Sequence, residues 1–384
     1  MVFLGQASNY SAGRVLRQLF AMGYRRDSER LRLALAEKYN AGTENVALYH
    51  TGRSALTVAF RSLLPEGGVV ILPGLTCIAV VRAVEAAGCR VEYADITRAD
   101  LQYNYEKLER KCQEISRERL KSIDKNKQVC YNGIIVAQNT LGLPLDMQKL
   151  QQIAQKYHFA IVEDLAHCAG RFYPDGREIG TVGQATALSF GKGKAIDTIE
   201  GGAVILREGD GASGNAKLEQ PMKQPKLSDR LRDRWYPLFG AIARGLAHVK
   251  LERYWLGLLL KLHWIKRSAD AGLDTNVRLT HWQAKLALEQ LSKLPKTPLR
   301  EFALVDHRDE VLAKLRKNGY QLEEIWYDTP VSPARYVKEA DFPTKTCPET
   351  AKIAKQIINL PTWYPESKLT RAREIIQKYE VKHD

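Results

Sequence analysis

The sequence predicts an α/β protein: a mostly parallel sheet with helices on both faces, followed by a small α+β unit. Three observations carry this. Short, wholly apolar runs such as Gly68–Leu72 recur through the first half of the chain, as in strands buried on both faces. Helical stretches of roughly ten residues separate them, as βα units require. The chain of 384 residues, 45% of them hydrophobic, is long enough for two domains around a large core.

Taken in order, Asn45–Leu48 reads as the first strand and leads through a glycine-containing turn into a helix, Ala55–Leu64. Gly68–Leu72 is a buried strand, ended by Pro73-Gly74. Ile78–Ala87 is helical and Arg90–Ala94 a strand. Tyr105–Asn126 is charged enough to read as a helix with a solvated face. Ile134–Ala137, Met147–Tyr157 and Phe159–Val162 follow as strand, helix and strand. Thr186–Phe190 and Ala203–Leu206 are two more strands. From Asn276 the pattern turns helical, with Trp282–Leu294, Asp306–Lys317 and Lys368–Lys378. The expected division is 1–206, 207–275 and 276–384. Parallel sheets bind ligands at the carboxyl ends of their strands, so the informative residues should lie just after strands.

Lysine and arginine number 58 against 44 acids, a formal net charge of +14. Such an excess fits nucleic acid, a phosphate-rich substrate or an anionic membrane until the charge is located. No apolar run reaches the length that spans a bilayer, and the opening MVFLGQASNYSAGR has too short an apolar stretch for a secretory signal. Six cysteines lie scattered at positions 77, 89, 112, 130, 168 and 347, with no CxxC pair and no zinc spacing. Reduced thiols in the cytoplasm are the expectation. Gly191-Lys192-Gly193-Lys194 lacks the hydroxyl residue and upstream glycine of a phosphate-binding P-loop. The dinucleotide fingerprint, HExxH and GxSxG are all absent.

Four segments are informative together. Thr51-Gly52-Arg53-Ser54 follows a strand and opens a helix. Glu163-Asp164 closes a strand, Ser189–Lys194 follows another, and Glu200-Gly201-Gly202 precedes a further one. A glycine at a strand-to-helix turn lets backbone N–H groups and the helix dipole meet a phosphate. An aspartate at the end of a buried strand is costly unless it meets a cation or a donor. A lysine among glycines reaches into a cleft unhindered. Taken singly, Gly52 is an ordinary helix start, Asp164 a helix cap and Lys194 a surface lysine. Their order and spacing carry the weight. A cofactor with a phosphate, a basic ring nitrogen and an aldehyde uses all three, and pyridoxal phosphate (PLP) is that cofactor.

Here the sequence resembles the DegT/StrS-like sugar aminotransferases, fold type I among PLP enzymes. The likeness runs from about Asp27 to Lys378. The family's SGTxAL turn stands here as Thr51–Leu56, its PxxTxxA segment as Pro73–Ala79, and its GxPxDM turn as Gly142–Met147. Its EDxAQ/H is Glu163–His167 and its SFxxxK, then EGG, is Ser189–Lys194 and Glu200–Gly202. Its NxRM…QA is Asn276–Leu279 and Gln283-Ala284, and its LP…P is Leu360-Pro361 to Pro365.

The resemblance implies roles. Lys194, five residues after Ser189 and six before Glu200, is the Schiff-base lysine, and Lys192 only adds positive charge nearby. Asp164 pairs with the ring nitrogen and His167 with the phenolic oxygen. Gly52, Arg53, Ser54 and Ser189 hold the phosphate, and Asn276 reaches the phosphate of a neighbouring subunit in a homodimer with shared active sites. The implied reaction is transfer of an amino group, from glutamate, to a nucleotide-linked keto-sugar in polysaccharide or secondary-metabolite biosynthesis. Four positions depart from the pattern. Cys77 stands where an aromatic ring commonly faces the cofactor, Arg53 replaces threonine, Ala195 an asparagine and Asn139 a histidine. These departures keep two alternatives open: a non-catalytic or regulatory protein on this fold, and a PLP-dependent sugar-modifying enzyme other than a transaminase.

One stretch breaks the resemblance. Residues 222–270 hold eleven lysines and arginines against four acids, half of the formal +14, and three of the six tryptophans, Trp235, Trp255 and Trp264. Leu246, Val249, Leu256 and Leu260, interleaved with Arg253 and Lys261, suggest amphipathic helices. A helical cover packed on the main domain is one expectation. Peripheral contact with an anionic membrane at the inner face is the second, and a lid over a nucleotide diphosphate the third. No DNA- or RNA-binding motif is present, so nucleic acid is not an expected partner.

Overall fold

The computed structural model describes residues 2–4, 10–122, 131–207, 218, 220–247, 249–267, 270, 272–322 and 325–381. The expected continuation of the charged helix to Asn126, and Cys130, lie outside them. Seven strands form the central sheet: β1 (Val46–Tyr49), β2 (Val69–Pro73), β3 (Arg90–Ala94), β4 (Gly133–Ala137), β5 (Phe159–Asp164), β6 (Ala185–Ser189) and β7 (Gly202–Leu206). Their order is β1-β7-β6-β5-β4-β2-β3. Strand β7 runs antiparallel to both its neighbours, and every other pairing is parallel.

Side chains alternate between the two faces, as the pleat requires. In β4, Ile135 and Ala137 join one core while Ile134 and Val136 join the other. In β2, Ile71 faces the first, with Val70 and Leu72 facing the second. The first core is closed by α2 (Arg25–Lys38), α5 (Tyr105–Ser122), α6 (Met147–Tyr157) and α9 (His281–Leu291). The second is closed by α3 (Gly52–Leu63) and α4 (Ile78–Ala86). Both faces are covered, so the strands can be apolar throughout.

The C-terminal unit pairs β8 (Arg300–Leu304) with β9 (Ile357–Pro361) antiparallel, beside α10 (Arg308–Lys317), α11 (Pro348–Gln356) and α12 (Glu366–Gln377). Its own core begins at Val305. Leu279, Ala284 and Ala287 lie instead in the first core of the sheet, so α9 packs with the large unit although it follows residue 276.

The basic stretch folds into α7 (Leu227–Ala247) and α8 (Glu252–Lys261). Phe239, Leu259 and Ile265 form a small core between them. Helix α7 docks on α1 (Ala12–Phe20), which the sequence reading left unassigned. Gln18 donates to the Asp233 carbonyl at 3.2 Å, and Arg234 donates to the Leu19 carbonyl at 2.9 Å.

Candidate active site

The register of the sheet assembles the site. Tyr49, Gly202 and Ser189 are cross-strand partners in one row at the carboxyl edge of β1 and β6. From that edge the Thr51 side chain caps α3 by accepting from the Ser54 N–H at 3.2 Å. The turn and Ser189 touch. A Cβ on Gly52 would lie 2.8 Å from both Cβ and Oγ of Ser189, and one on Gly202 only 2.6 Å from Gly52 Cα. Only glycine permits this approach. The close-packed edge therefore sets the Ser189 hydroxyl beside the first N–H groups of a helix, a donor set suited to a phosphate.

On the strand next to β6, Asp164 ends β5 and is buried. Its Oδ1 accepts from the Ala166 N–H at 2.9 Å. Burial raises its pKa, opposed by that N–H and by the positive charge of Lys194. A buried carboxylate of this kind is best satisfied by a cationic N–H, as a protonated ring nitrogen provides. Its neighbour Glu163 has a different task. It accepts from Tyr173 Oη at 2.6 Å and from the N–H groups of Gly180, Val182 and Gly183, fixing the loop that leads to β6.

Lys194 Nζ lies 4.7 Å from the ring centroid of Trp326. His167 stacks on the same indole, its ring 4.7 Å away at an interplanar angle of 19°. Burial, then Lys194 and Arg300, drive the His167 pKa well below its ordinary value, so the ring is neutral. Its Nδ1 lies 3.3 Å from Tyr327 Oη. Gln138 Nε2 donates to the Leu75 carbonyl at 2.7 Å and to Thr140 Oγ1 at 3.1 Å, with Tyr327 Oη at 3.5 Å. A neutral imidazole with its proton on Nε2 would accept the Tyr327 hydrogen at Nδ1. Burial raises the Tyr327 pKa far above its usual range, and Cys77, Asp164 and Cys168 nearby add to this, so the phenol stays a donor.

Cys77 is half-buried and its Sγ accepts from the Ala79 N–H at 3.5 Å, while Thr76-Cys77 pairs with Val331-Ser332 of the C-terminal unit. Trp326 thus brings an aromatic ring to the site from the other unit. Arg53 is buried, which lowers its pKa, against the pull of Glu200 and Cys77.

The DegT/DnrJ/EryC1/StrS aminotransferase family matches residues 27–302. The chain belongs to this family. A transaminase from Campylobacter jejuni, acting on UDP-4-amino-4,6-dideoxy-N-acetyl-beta-L-altrosamine by its name, is 27% identical over 43% of this chain and 40% of its own. The chain thus matches about two fifths of that relative's length. The GDP-perosamine synthase of Vibrio cholerae is 23% identical over 81% of this chain and 79% of its own. Among solved structures, a Streptococcus pneumoniae protein assigned as a sugar aminotransferase, in its PLP form, superposes with a TM-score of 0.62 at 17% identity, covering 94% of each chain. The fold is that of the fold type I PLP enzymes.

Within this family member the two lysines of the Ser189–Lys194 loop face opposite ways. Lys192 Nζ donates to the Lys266 carbonyl at 2.9 Å and lies 4.3 Å from the Tyr236 ring, away from Asp164. Burial opposes its charge, but Tyr236, Glu200, Asp233 and Asp197 outweigh that and raise its pKa. It borders a cavity of about 470 Å³ that also meets Thr51, Ser54, Arg232 and Lys266. Asn276 is exposed. Its Oδ1 accepts from the Met222 N–H at 2.9 Å, and its loop turns the Asp274 carbonyl to Ser54 Oγ at 3.1 Å.

Sequence reasoning missed Trp326, Tyr327, Gln138 and Asp197. Asp197 Oδ2 accepts from the Gly193 N–H at 2.9 Å and pairs with Arg14 at 3.1 Å, holding the lysine loop against α1. Of the four, Asp197 and Gln138 lay near motifs that the sequence displayed, the latter beside Asn139.

Proposed function

We propose that this chain is a PLP-dependent aminotransferase that moves an amino group from glutamate to a nucleotide-linked keto-sugar. The observation that carries it is the convergence of Asp164, His167 and Lys194 at one sheet edge, with the Gly52–Ser189 contact beside them. When bound, the cofactor withdraws electrons from the carbon that carries the amino group. The residues supply the rest. Asp164 holds the ring nitrogen protonated. His167 offers Nε2–H to the ring oxygen and cannot itself take up a proton near neutral pH. Gly52, Arg53, Ser54 and Ser189 hold the phosphate. Lys194 would hold the aldehyde carbon and, as a free amine, would carry a proton between the substrate and cofactor carbons.

The working unit in this proposal is a homodimer in which Asn276 reaches the partner's phosphate, and its location is the cytoplasm. Among the described residues no helix is long and apolar enough to cross a membrane. The test is spectroscopic. Purified protein should absorb visible light, borohydride should fix the cofactor on Lys194 in a peptide map, and glutamate should bleach the visible band. A colourless protein left unmodified at Lys194 would sink the reading.

A further inference from the structure

We propose that α7 and α8 form a docking surface for an anionic lipid bilayer. Leu227, Leu231, Trp235 and Ile242 recur at helical spacing along α7, and all four are exposed. On α8, Tyr254 is 71% exposed, Leu258 49% and Leu262 just after it 56%. Side chains of this size on the outer face of a packed helix pair are unusual in number. Most of the large exposed apolar residues described in this chain fall between Met222 and Trp264, and Phe20 of the adjoining α1 is 75% exposed.

The charges around this face have been sorted by sign. Lys226 and Arg230 flank the α7 stripe, and Lys250, Arg253 and Lys261 flank that of α8, all exposed. Three of the four acids of the same stretch are withdrawn. Asp229 is paired with Arg232 and Lys266, Asp233 is buried, and Glu252 is half-buried. The fourth, Asp270, is exposed but lies beyond α8, 3.9 Å from Arg335. The outward surface of α7 and α8 is therefore apolar with a cationic rim.

This chemistry selects the occupant. A second copy of the chain would set one cationic rim against another with no acid to relieve it. A soluble anion would satisfy the lysines but leave the Leu, Trp and Tyr side chains wet. An anionic lipid surface accommodates both, with the rings and leucines at the acyl boundary and the basic heads among the phosphates. The contact is in the plane of the membrane, since neither helix can cross it. The inference stands apart from the amino-transfer reading, because the residues substituted in its test lie neither at the Lys194 site nor on the cavity beside Ser54.

Sedimentation with sucrose-loaded vesicles tests it, using phosphatidylcholine alone and phosphatidylcholine with phosphatidylglycerol. The full chain should partition onto the anionic vesicles at least about tenfold better than onto neutral ones, and raised salt should reduce this. The variant Leu231→Glu/Trp235→Glu/Tyr254→Glu/Leu258→Glu should lose the binding while its oligomeric state and glutamate-driven spectral change persist. Should that variant misfold, charge reversal by Arg230→Glu/Arg253→Glu/Lys261→Glu should have the same effect. No binding to anionic vesicles, equal binding to neutral ones, or conversion of a dimer to monomers by these substitutions would each overturn the proposal. Because the spectral change is read separately, loss of vesicle binding and loss of the active site are distinguishable.

Discussion

Lys192 and Lys194 are two residues apart, and the turn through Gly193, at φ +71°, sends them to opposite sides of the loop. Lys194→Ala should therefore abolish the visible band and lower turnover by about 10²–10⁴-fold or more, whereas Lys192→Ala should keep the band. The contact of Tyr327 with His167 gives a subtler expectation. Tyr327→Phe removes the hydrogen-bond partner of Nδ1, so the glutamate half-reaction should slow roughly tenfold with KM little changed. The pH profile of the visible band should shift as well, a change that a purely structural phenol would not produce. His50 supplies a stability prediction. Burial holds its pKa at about 4, so near neutral pH the ring is uncharged and its 3.6 Å contact with Asp233 is no ion pair. Between the unfolded value of 6.5 and the folded value of about 4 the unfolded chain binds more protons. Stability should fall as the pH drops through that window, by up to about 3 kcal/mol from this residue. His50→Asn should flatten a denaturation series between neutral pH and pH about 4. An unchanged slope would show that His50 is not the group responsible.

At the scale of elements, the meeting of α3, β6 and β7 matters most. A Cβ on residue 202 would also lie 2.8 Å from the Leu188 carbonyl, so it meets backbone on two sides and cannot be relieved by a rotamer change. Gly202→Ala should cost about 1–3 kcal/mol in thermal unfolding and weaken cofactor retention together, since the same shift parts Gly52 from Ser189. This edge was legible in the sequence. The apolar runs announced the strands, and the glycines, Asp164 and Lys194 sat just beyond them in a readable order. Trp326 and Tyr327 were not legible, because they come from a turn with no periodic signal and reach His167 only through the packing of the C-terminal unit. Gln138 looked like the polar end of an ordinary strand. Helices α1 and α2 went unassigned. The amphipathic reading of 246–260 found α8, where Leu256 and Leu260 are half-buried and Arg253 and Lys261 exposed, but it did not single out the exposed Tyr254 and Leu258.

For the whole molecule, the excess charge and the chemistry are segregated. Half of the +14 lies in 222–270, and of its exposed bases Arg230, Arg253 and Lys261 stand on α7 and α8, with Lys226 and Lys250 just before them. The groups proposed to be catalytic lie at the sheet edge, beside Trp326 and Tyr327 of the C-terminal unit. What one chain leaves open is the use of Asn276, whose loop rests on its own Ser54 while the proposed homodimer needs the residue across the interface. Complementation separates these uses. Lys194→Ala and Asn276→Asp should each inactivate the enzyme alone. If sites are shared, a mixed dimer holds one site with both native residues and one with neither. Refolding an equal mixture should then restore about a quarter of native activity. If Asn276 serves its own chain, every site in the mixture carries one lesion and activity stays at the level of the separate variants.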